Sequence, residues 1–149
     1  MWTADWAWSL PLILLTVVIH VFGLGLINER VVRGLSRSID RRRLVPLFAL
    51  VMGVAVILMT ALHGIEGIAW AAAYLFLGAV PDAKSAMLYS LNAMTTFGHE
   101  STQLAPHWQM MGALEALNGM LLFGLTTAFL FAMIQEIWPL VLRQGRSSR

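Results

Sequence analysis

A short polar run in the second half of the chain holds the side chains best suited to act on an ion. The run is TTFGHES, residues 95–101, and it follows an apolar stretch. The Glu100 carboxylate attracts cations while it is ionised, and the neighbouring His99 gains positive charge near neutral pH. These two side chains predict cation binding that weakens on acidification.

A second group of polar and aromatic residues recurs at helical spacing. His63, Glu66, Trp70 and Tyr74 are three or four residues apart, so they share one face of a helix. The main interpretation is a structural pair between His63 and Glu66 near the outer interface, and a proton sensor is the alternative.

The composition places these residues in a membrane protein. Hydrophobic residues make up 58% of the chain and charged residues 12%, with a mean hydropathy of +0.73. Three stretches, 6–27, 44–65 and 108–135, reach the length of about 20 apolar residues that a hydrocarbon core requires. A fourth, 68–80, is too short to span. We therefore expect one all-α membrane domain.

The basic residues predict the orientation. Nine of the ten Lys and Arg side chains lie in 29–43 or after residue 138, and Lys84 is the tenth. Because Lys and Arg in short loops stay on the cytoplasmic side, we expect the N-terminus outside and the C-terminus in the cytoplasm. A multi-pass protein of a bacterial inner membrane fits this pattern. The Arg-rich linker is interpreted as a topology anchor touching lipid head groups, not as a nucleic-acid site.

A short helix is expected between the second and third long stretches. Pro81 ends the preceding helix, and Asp82 or Ser85 can cap a new one that runs to about Met94. Such a helix is too short to span and apolar enough to be buried, so it should enter the membrane and stop. The irregular backbone after it is tolerated at that depth only where it lines water or packs in protein.

These elements resemble the pore of a potassium channel. The TTFG run is similar to the start of the TVGYG filter, whose backbone carbonyls come from four subunits. The stretch LEALNGMLLFGLTTAFLFA, residues 114–132, is similar to the pore-lining helix of bacterial two-transmembrane potassium channels. The resemblance covers about 44–137, and the first span is extra. It assigns six residues to the selectivity filter: Thr95, Thr96, Phe97, Gly98, His99 and Glu100.

The resemblance also gives roles to the last long helix. In that family a glycine at the place of Gly119 acts as a gating hinge, another lies at the place of Gly124, and a phenylalanine at the place of Phe123 narrows the inner mouth. Close packing between helices is the alternative for both glycines. Glu115 is expected to face the back of the pore loop or an adjacent subunit, since a carboxyl group facing lipid is costly. Asn118 is expected to line the cavity or bond between helices.

The implied assembly is a homotetramer, because one subunit supplies one pore helix and one lining helix. Its partners would be membrane lipids and permeant monovalent cations such as K⁺ or Na⁺. Passive flow requires no catalytic residue, cofactor or bound metal. The implied domain organisation is an extra transmembrane helix (1–28), an Arg-rich linker (29–43), a pore domain (44–137) and a basic tail (138–149).

The filter departs from the family where Tyr-Gly-Asp is replaced by His99, Glu100 and Ser101. The second filter glycine has positive φ, which costs a residue with a side chain about 1–2 kcal/mol. Selectivity for K⁺ over Na⁺ should therefore be weakened. In a fourfold assembly Glu100 would instead form a ring of carboxylates at the outer mouth, a recognised way to select cations. A polar lid over a closed loop is the alternative.

Two other classes of function remain open at this stage. A non-conducting pore-fold protein that assembles with or regulates a partner would explain the altered filter. The second class is a redox or metal-binding protein with a haem or a metal ion held between His20 and His63. The predicted depths argue against it, since His20 lies toward mid-membrane and His63 near the outer end. His20 is therefore interpreted as a helix-packing histidine.

The altered filter predicts poor discrimination between K⁺ and Na⁺, measured as the reversal potential under bi-ionic conditions. Glu100→Gln removes the charge and keeps the size, so it should lower conductance, most of all at low ionic strength where screening is weak. A strongly K⁺-selective wild type would show that the loop keeps its carbonyl geometry despite Glu100.

Overall fold

The computed structural model describes residues 2–37, 44–97 and 103–147, and within these ranges the chain is helical without a β-strand. The elements in chain order are α1 (Trp2–Arg37), α2 (Leu44–Phe76), α3 (Ala83–Met94), a 3-10 turn (Pro106–Trp108) and α4 (Gln109–Ser147).

Three of the segments are long and apolar enough to cross a membrane: Thr3–Arg30, Val45–Phe76 and Pro106–Glu136. Large apolar side chains, Phe22 and Ile57 among them, stand exposed on the outside of the bundle. The expected all-helical class is confirmed, and a surface of this kind is consistent with a membrane protein, because it suits lipid or neighbouring protein and not water.

The second span is longer than the sequence predicted. The separation of 44–65 from a short stretch at 68–80 is wrong, because α2 continues as one helix to Phe76. A glycine inside a helix costs only about 1 kcal/mol, and Gly67 lies where α3 packs closely, with Ser90 Oγ at 3.4 Å from an added Cβ. The helix gives way to a turn at Gly78, whose φ is +63°.

The long helices α1 and α4 run parallel to each other and antiparallel to α2. Trp8 of α1 packs on Phe76 of α2 with ring centroids 5.8 Å apart, and helices α1 and α3 each contact both α2 and α4. Helices α1 and α4 also continue beyond the predicted limits, α1 into the Arg-rich linker and α4 into the basic tail.

Two apolar clusters lie at different heights in the bundle. One is formed by α2, α3 and α4 around Trp70, Tyr74 and Met111. The other is formed by α1, α2 and α4 around Met59 and Met133. The segments of α1, α2 and α4 between these clusters carry most of the buried polar side chains.

The short helix α3 begins as the sequence predicted. Asp82 has extended backbone and accepts a hydrogen bond from the Ser85 amide at 3.0 Å, and the Ser85 hydroxyl donates to the same carboxylate at 2.7 Å. These hydrogen bonds from Ser85 lower the pKa of Asp82. The cap therefore fixes the first turn of α3 while the carboxylate is ionised.

Helix α3 ends at Met94, also as predicted, in a Schellman turn. Thr96 has a φ of +56°, and its amide donates to the Ala93 carbonyl at 3.0 Å. The Phe97 amide donates to Asn92, again at 3.0 Å. This hydrogen-bonding pattern stops the helix within two residues and turns the chain away.

The backbones of helices α3 and α4 lie close together at Gly119. A Cβ added there would lie 2.6 Å from Met94 Cα and nearer still to its carbonyl oxygen, whereas a Cβ at Gly124 would meet nothing within 4 Å. Close packing, the alternative interpretation, thus accounts for Gly119. Close packing does not account for Gly124, where an added Cβ would have room. Helix α4 is continuous through both positions.

Gly119→Ala should therefore destabilise the fold by about 1–3 kcal/mol, because the backbone of α3 would have to move. The matched control is Gly124→Ala in the same helix, which we expect to be neutral or to stabilise by up to about 1 kcal/mol through helix propensity. Unfolding in a common detergent measures both. Equal stability of the two variants would contradict the close contact.

Candidate functional site

Four side chains from three helices close a ring of hydrogen bonds, called here the histidine cluster. The two Glu66 oxygens lie 2.8 Å from His20 Nδ1 and 3.0 Å from His63 Nδ1. Thr126 Oγ1 lies 3.1 Å from His63 Nε2 and 3.2 Å from His20 Nε2. All four residues are buried, His20 and Glu66 completely.

Helical spacing and aromatic packing hold this cluster in place. His63 and Glu66 are three residues apart on α2, so both side chains leave the same face toward α1 and α4. Phe123 of α4 stacks on the His63 ring with centroids 4.2 Å apart. The expected contact between His63 and Glu66 is confirmed, and His20 has the hydrogen-bonded position expected of a packing histidine.

The predicted difference in depth between His20 and His63 is wrong, because their ring centroids lie 5.2 Å apart. Trp8 lies at the same height as Phe76. His20 follows Trp8 by about 18 Å along α1, and His63 precedes Phe76 by about 20 Å along α2, at 1.5 Å per residue. The two histidines therefore lie at similar heights. Span boundaries estimated from each helix separately missed this register.

His20, His63 and Glu66 each offer a ligand atom within 4.8 Å of the others.

A second buried group, called here the Glu115 cluster, joins α2, α3 and α4. Tyr74 donates to Glu115 Oε2 at 2.5 Å, and the Ser90 hydroxyl lies 2.5 Å from Glu115 Oε1 and 3.0 Å from the Gly67 carbonyl oxygen. Glu115, Tyr74 and Ser90 are fully buried. Glu115 therefore contacts the short helix α3, one of the two placements expected for it.

Asn118 bonds between helices, as one of its two interpretations stated. Its Nδ2 donates to Thr16 Oγ1 of α1 at 2.8 Å, and the Thr16 hydroxyl lies 2.9 Å from the Leu12 carbonyl oxygen. Asn118 Oδ1 is buried without a hydrogen-bond partner among the described residues. This contact joins α1 to α4 at a height between the histidine cluster and the Glu115 cluster.

The sequence interpretation missed most of the polar face of α1. Asp5, Ser9, Thr16 and His20 are all buried, yet only His20 was selected. Their spacings of four, seven and four residues put them on one helix face, and that spacing was the available signal. A polar stripe on an apolar span indicates contact with protein.

The described part of the predicted filter lies at the exposed end of α3. Thr95, Thr96 and Phe97 are exposed, Phe97 to 84%, and the Thr95 hydroxyl donates to the Leu91 carbonyl at 2.7 Å. The remaining filter residues lie outside the described residues: Gly98, His99 and Glu100.

A recess opens beside this end of α3. It is shallow and open, and its lining residues belong to α3, the turn after it and α4. They are Met94, Thr95, Thr96, Met120 and Phe123. Phe123 thus borders the recess while its ring also covers His63.

Comparison with protein-family models, curated proteins and solved structures finds no match to this chain. Function must therefore be inferred from its own residues. The two clusters supply carboxyl, imidazole and hydroxyl groups shielded from lipid, and the recess supplies hydroxyl and backbone oxygens at the end of a short helix.

The Glu115 cluster predicts a large loss of stability on Glu115→Ala. The Tyr74 and Ser90 hydroxyls would lose their shared partner, and a buried polar group left without its hydrogen bond costs about 1–3 kcal/mol. We expect a loss of about 3 kcal/mol, measured as detergent-induced unfolding. Glu136→Ala is the matched control, since Glu136 is exposed on the same helix and such substitutions stay within about 0.5 kcal/mol. Similar losses in both variants would contradict the role of the cluster.

Proposed function

We propose that this chain forms a homotetrameric channel that passively conducts monovalent cations, either K⁺ with weakened selectivity over Na⁺ or both ions alike. One observation carries the proposal. A short capped helix, α3, is wedged between two long apolar helices and stops beside the middle of one of them.

The end of α3 supports a re-entrant path. Met94 adjoins Gly119, which lies near the middle of the apolar segment Pro106–Glu136. If that segment crosses the membrane, α3 enters from the outer side and ends at about half depth. The C-terminal end of a helix carries about half a negative charge, which stabilises a cation that has lost water.

The Glu115 cluster supports a rigid placement of α3. Ser90 lies on its buried face and contacts Glu115 of α4 and the Gly67 carbonyl of α2. A filter has to be held to within a fraction of an ångström, which requires locked neighbours. These contacts hold α3 in place on its buried side, which faces away from the recess.

The exposed residues support assembly with further copies. Phe97 stands 84% exposed at the end of α3, and Met120 of α4 is 61% exposed. Irregular backbone at membrane depth must be covered by protein or lie along water. A ring of copies around the recess side of α3 and α4 would meet both conditions.

The alternative is a pore-fold protein that does not conduct and instead assembles with or regulates a partner. The replacement of the filter residues at 99–101 favours it, because the second filter glycine is absent. A flux measurement separates the two functions.

The proposal predicts a tetramer in native mass measurements and cation flux into liposomes. The chain has no cysteine, so Met120→Cys introduces a single thiol beside the recess. A positively charged thiol reagent should then block most of the flux, because the cysteine would face the ion path. The matched control is Ile57→Cys on α2, exposed to 69% and expected to face lipid, where the reagent should have little effect.

A monomer or dimer both in mild detergent and in lipid would overturn the tetramer. A tetramer without flux would favour the non-conducting alternative. Equal block of Met120→Cys and Ile57→Cys would show that the recess does not lie along the ion path.

A further inference from the structure

We propose that the histidine cluster is a binding site for a divalent transition-metal ion of the zinc type, with His20 Nδ1, His63 Nδ1 and a Glu66 oxygen as ligands. The site would join α1 to α2, and it does not depend on whether the protein conducts ions.

The spacing of the donor atoms suits such an ion. Zinc binds imidazole nitrogen and carboxylate oxygen at about 2.0–2.2 Å, so neighbouring ligands of a tetrahedral ion lie about 3.3 Å apart. The carboxylate oxygens of Glu66 lie 2.8 and 3.0 Å from the two Nδ1 atoms. The three residues have ligand atoms within 4.8 Å of one another. Shifts of less than an ångström in each side chain would close the site.

Thr126 completes the arrangement as an outer partner. A histidine that binds metal through Nδ1 carries its proton on Nε2 and usually donates it to an oxygen. Thr126 Oγ1 lies within 3.2 Å of both Nε2 atoms, and a hydroxyl oxygen has two acceptor positions. Both metal-bound imidazoles can therefore donate to the same threonine.

Without a metal, the ring of hydrogen bonds needs one proton more than two neutral imidazoles carry. The Thr126 hydroxyl has one proton, which can serve only one of the two Nε2 atoms. The other contact then requires a proton on Nε2 of the second imidazole. That imidazole is positively charged if its Nδ1 also donates a hydrogen bond to Glu66. A bound ion takes the place of both Nδ1 protons: one is released and the other is regained at the second Nε2, so that both Nε2 atoms donate to Thr126.

The ligand set selects the class of metal. Two imidazoles and one carboxylate suit zinc, cobalt or ferrous iron, whereas calcium and magnesium prefer oxygen ligands alone. The chain offers no thiolate, and the three proposed ligands include no thioether, so the site lacks the soft sulfur ligands that favour Cu(I). Glu66 neutralises one of the two metal charges, and the fourth position remains open for water or an anion.

The site would connect α1 to the other helices. His20 lies on α1 and the other two ligands on α2, while Phe123 of α4 covers the His63 ring. An ion that binds the folded state and not the unfolded chain stabilises the folded state, and the gain rises with the logarithm of the free ion concentration above its Kd. Metal binding would therefore raise the melting temperature of the intact protein.

The test uses the purified full chain, stripped with a chelator and titrated with Co²⁺. We expect one Co²⁺ per chain with the visible bands of a four-coordinate site, displaced by Zn²⁺. X-ray absorption of the wild-type protein loaded with Zn²⁺ should show two imidazole nitrogens at about 2.0–2.1 Å. This second measurement requires no substitution, so it decides the matter even if a variant fails to fold.

His20→Asn and His63→Asn should each abolish the Co²⁺ bands while the helix content stays unchanged. His107→Asn is the matched control, because His107 is exposed in the 3-10 turn Pro106–Trp108, away from the histidine cluster, and this variant should bind Co²⁺ as the wild type does. The site is overturned if the wild type takes up no Co²⁺, if the absorption data show no imidazole, or if His20→Asn and His63→Asn bind Co²⁺ unchanged.

Discussion

A polar group that faces hydrocarbon has no water to bond with, and the arrangement of this bundle follows from that constraint. A buried polar side chain in the apolar region costs free energy unless it bonds to its own helix or to a partner on another helix. Glu66 does so through two histidine side chains, and Glu115 through a tyrosine and a serine side chain. These contacts are directional, so they fix the rotation and height of each helix, which apolar packing alone does not.

The Glu115 cluster shows how this constraint positions a short helix. Helix α3 spans 12 residues, so it has little apolar surface with which to hold its place. The contact of Ser90 with Glu115 and the close approach at Gly119 supply the missing restraints. The first restraint is a hydrogen bond, and the second is a close backbone contact that the missing side chain of Gly119 allows. Together they limit the translation and rotation of α3 against α4.

Much of the fold could be predicted from the sequence, because length, hydropathy and capping are local properties. The three spans, the cap at Asp82 and the end of α3 near Met94 all follow from such rules. The shared face of His63 and Glu66 was also predictable. The length of α2 was not, since a Gly-Ile-Glu-Gly run inside a packed helix resembles a break.

The register between helices was the part that local rules could not supply. The distance from His20 to His63 depends on how α1 slides along α2, and the contact of Trp8 with Phe76 sets it. Asp5, Ser9 and Thr16 were missed because each looks unremarkable alone in an apolar segment. Their common face has meaning only beside the residues it meets.

The polar face of α1 also has a consequence for the order in which the protein is made. The hydrogen-bond partners of α1 lie far downstream, with Glu66 46 residues after His20, Asn118 102 residues after Thr16, and Thr126 106 residues after His20. Helix α1 therefore leaves the ribosome well before the hydrogen-bond partners of its buried face. Until α4 emerges, α1 must keep its buried face away from lipid, beside the insertion machinery or against α2 alone. The polar face of α1 thus makes the stable insertion of this helix depend on helices that are made after it.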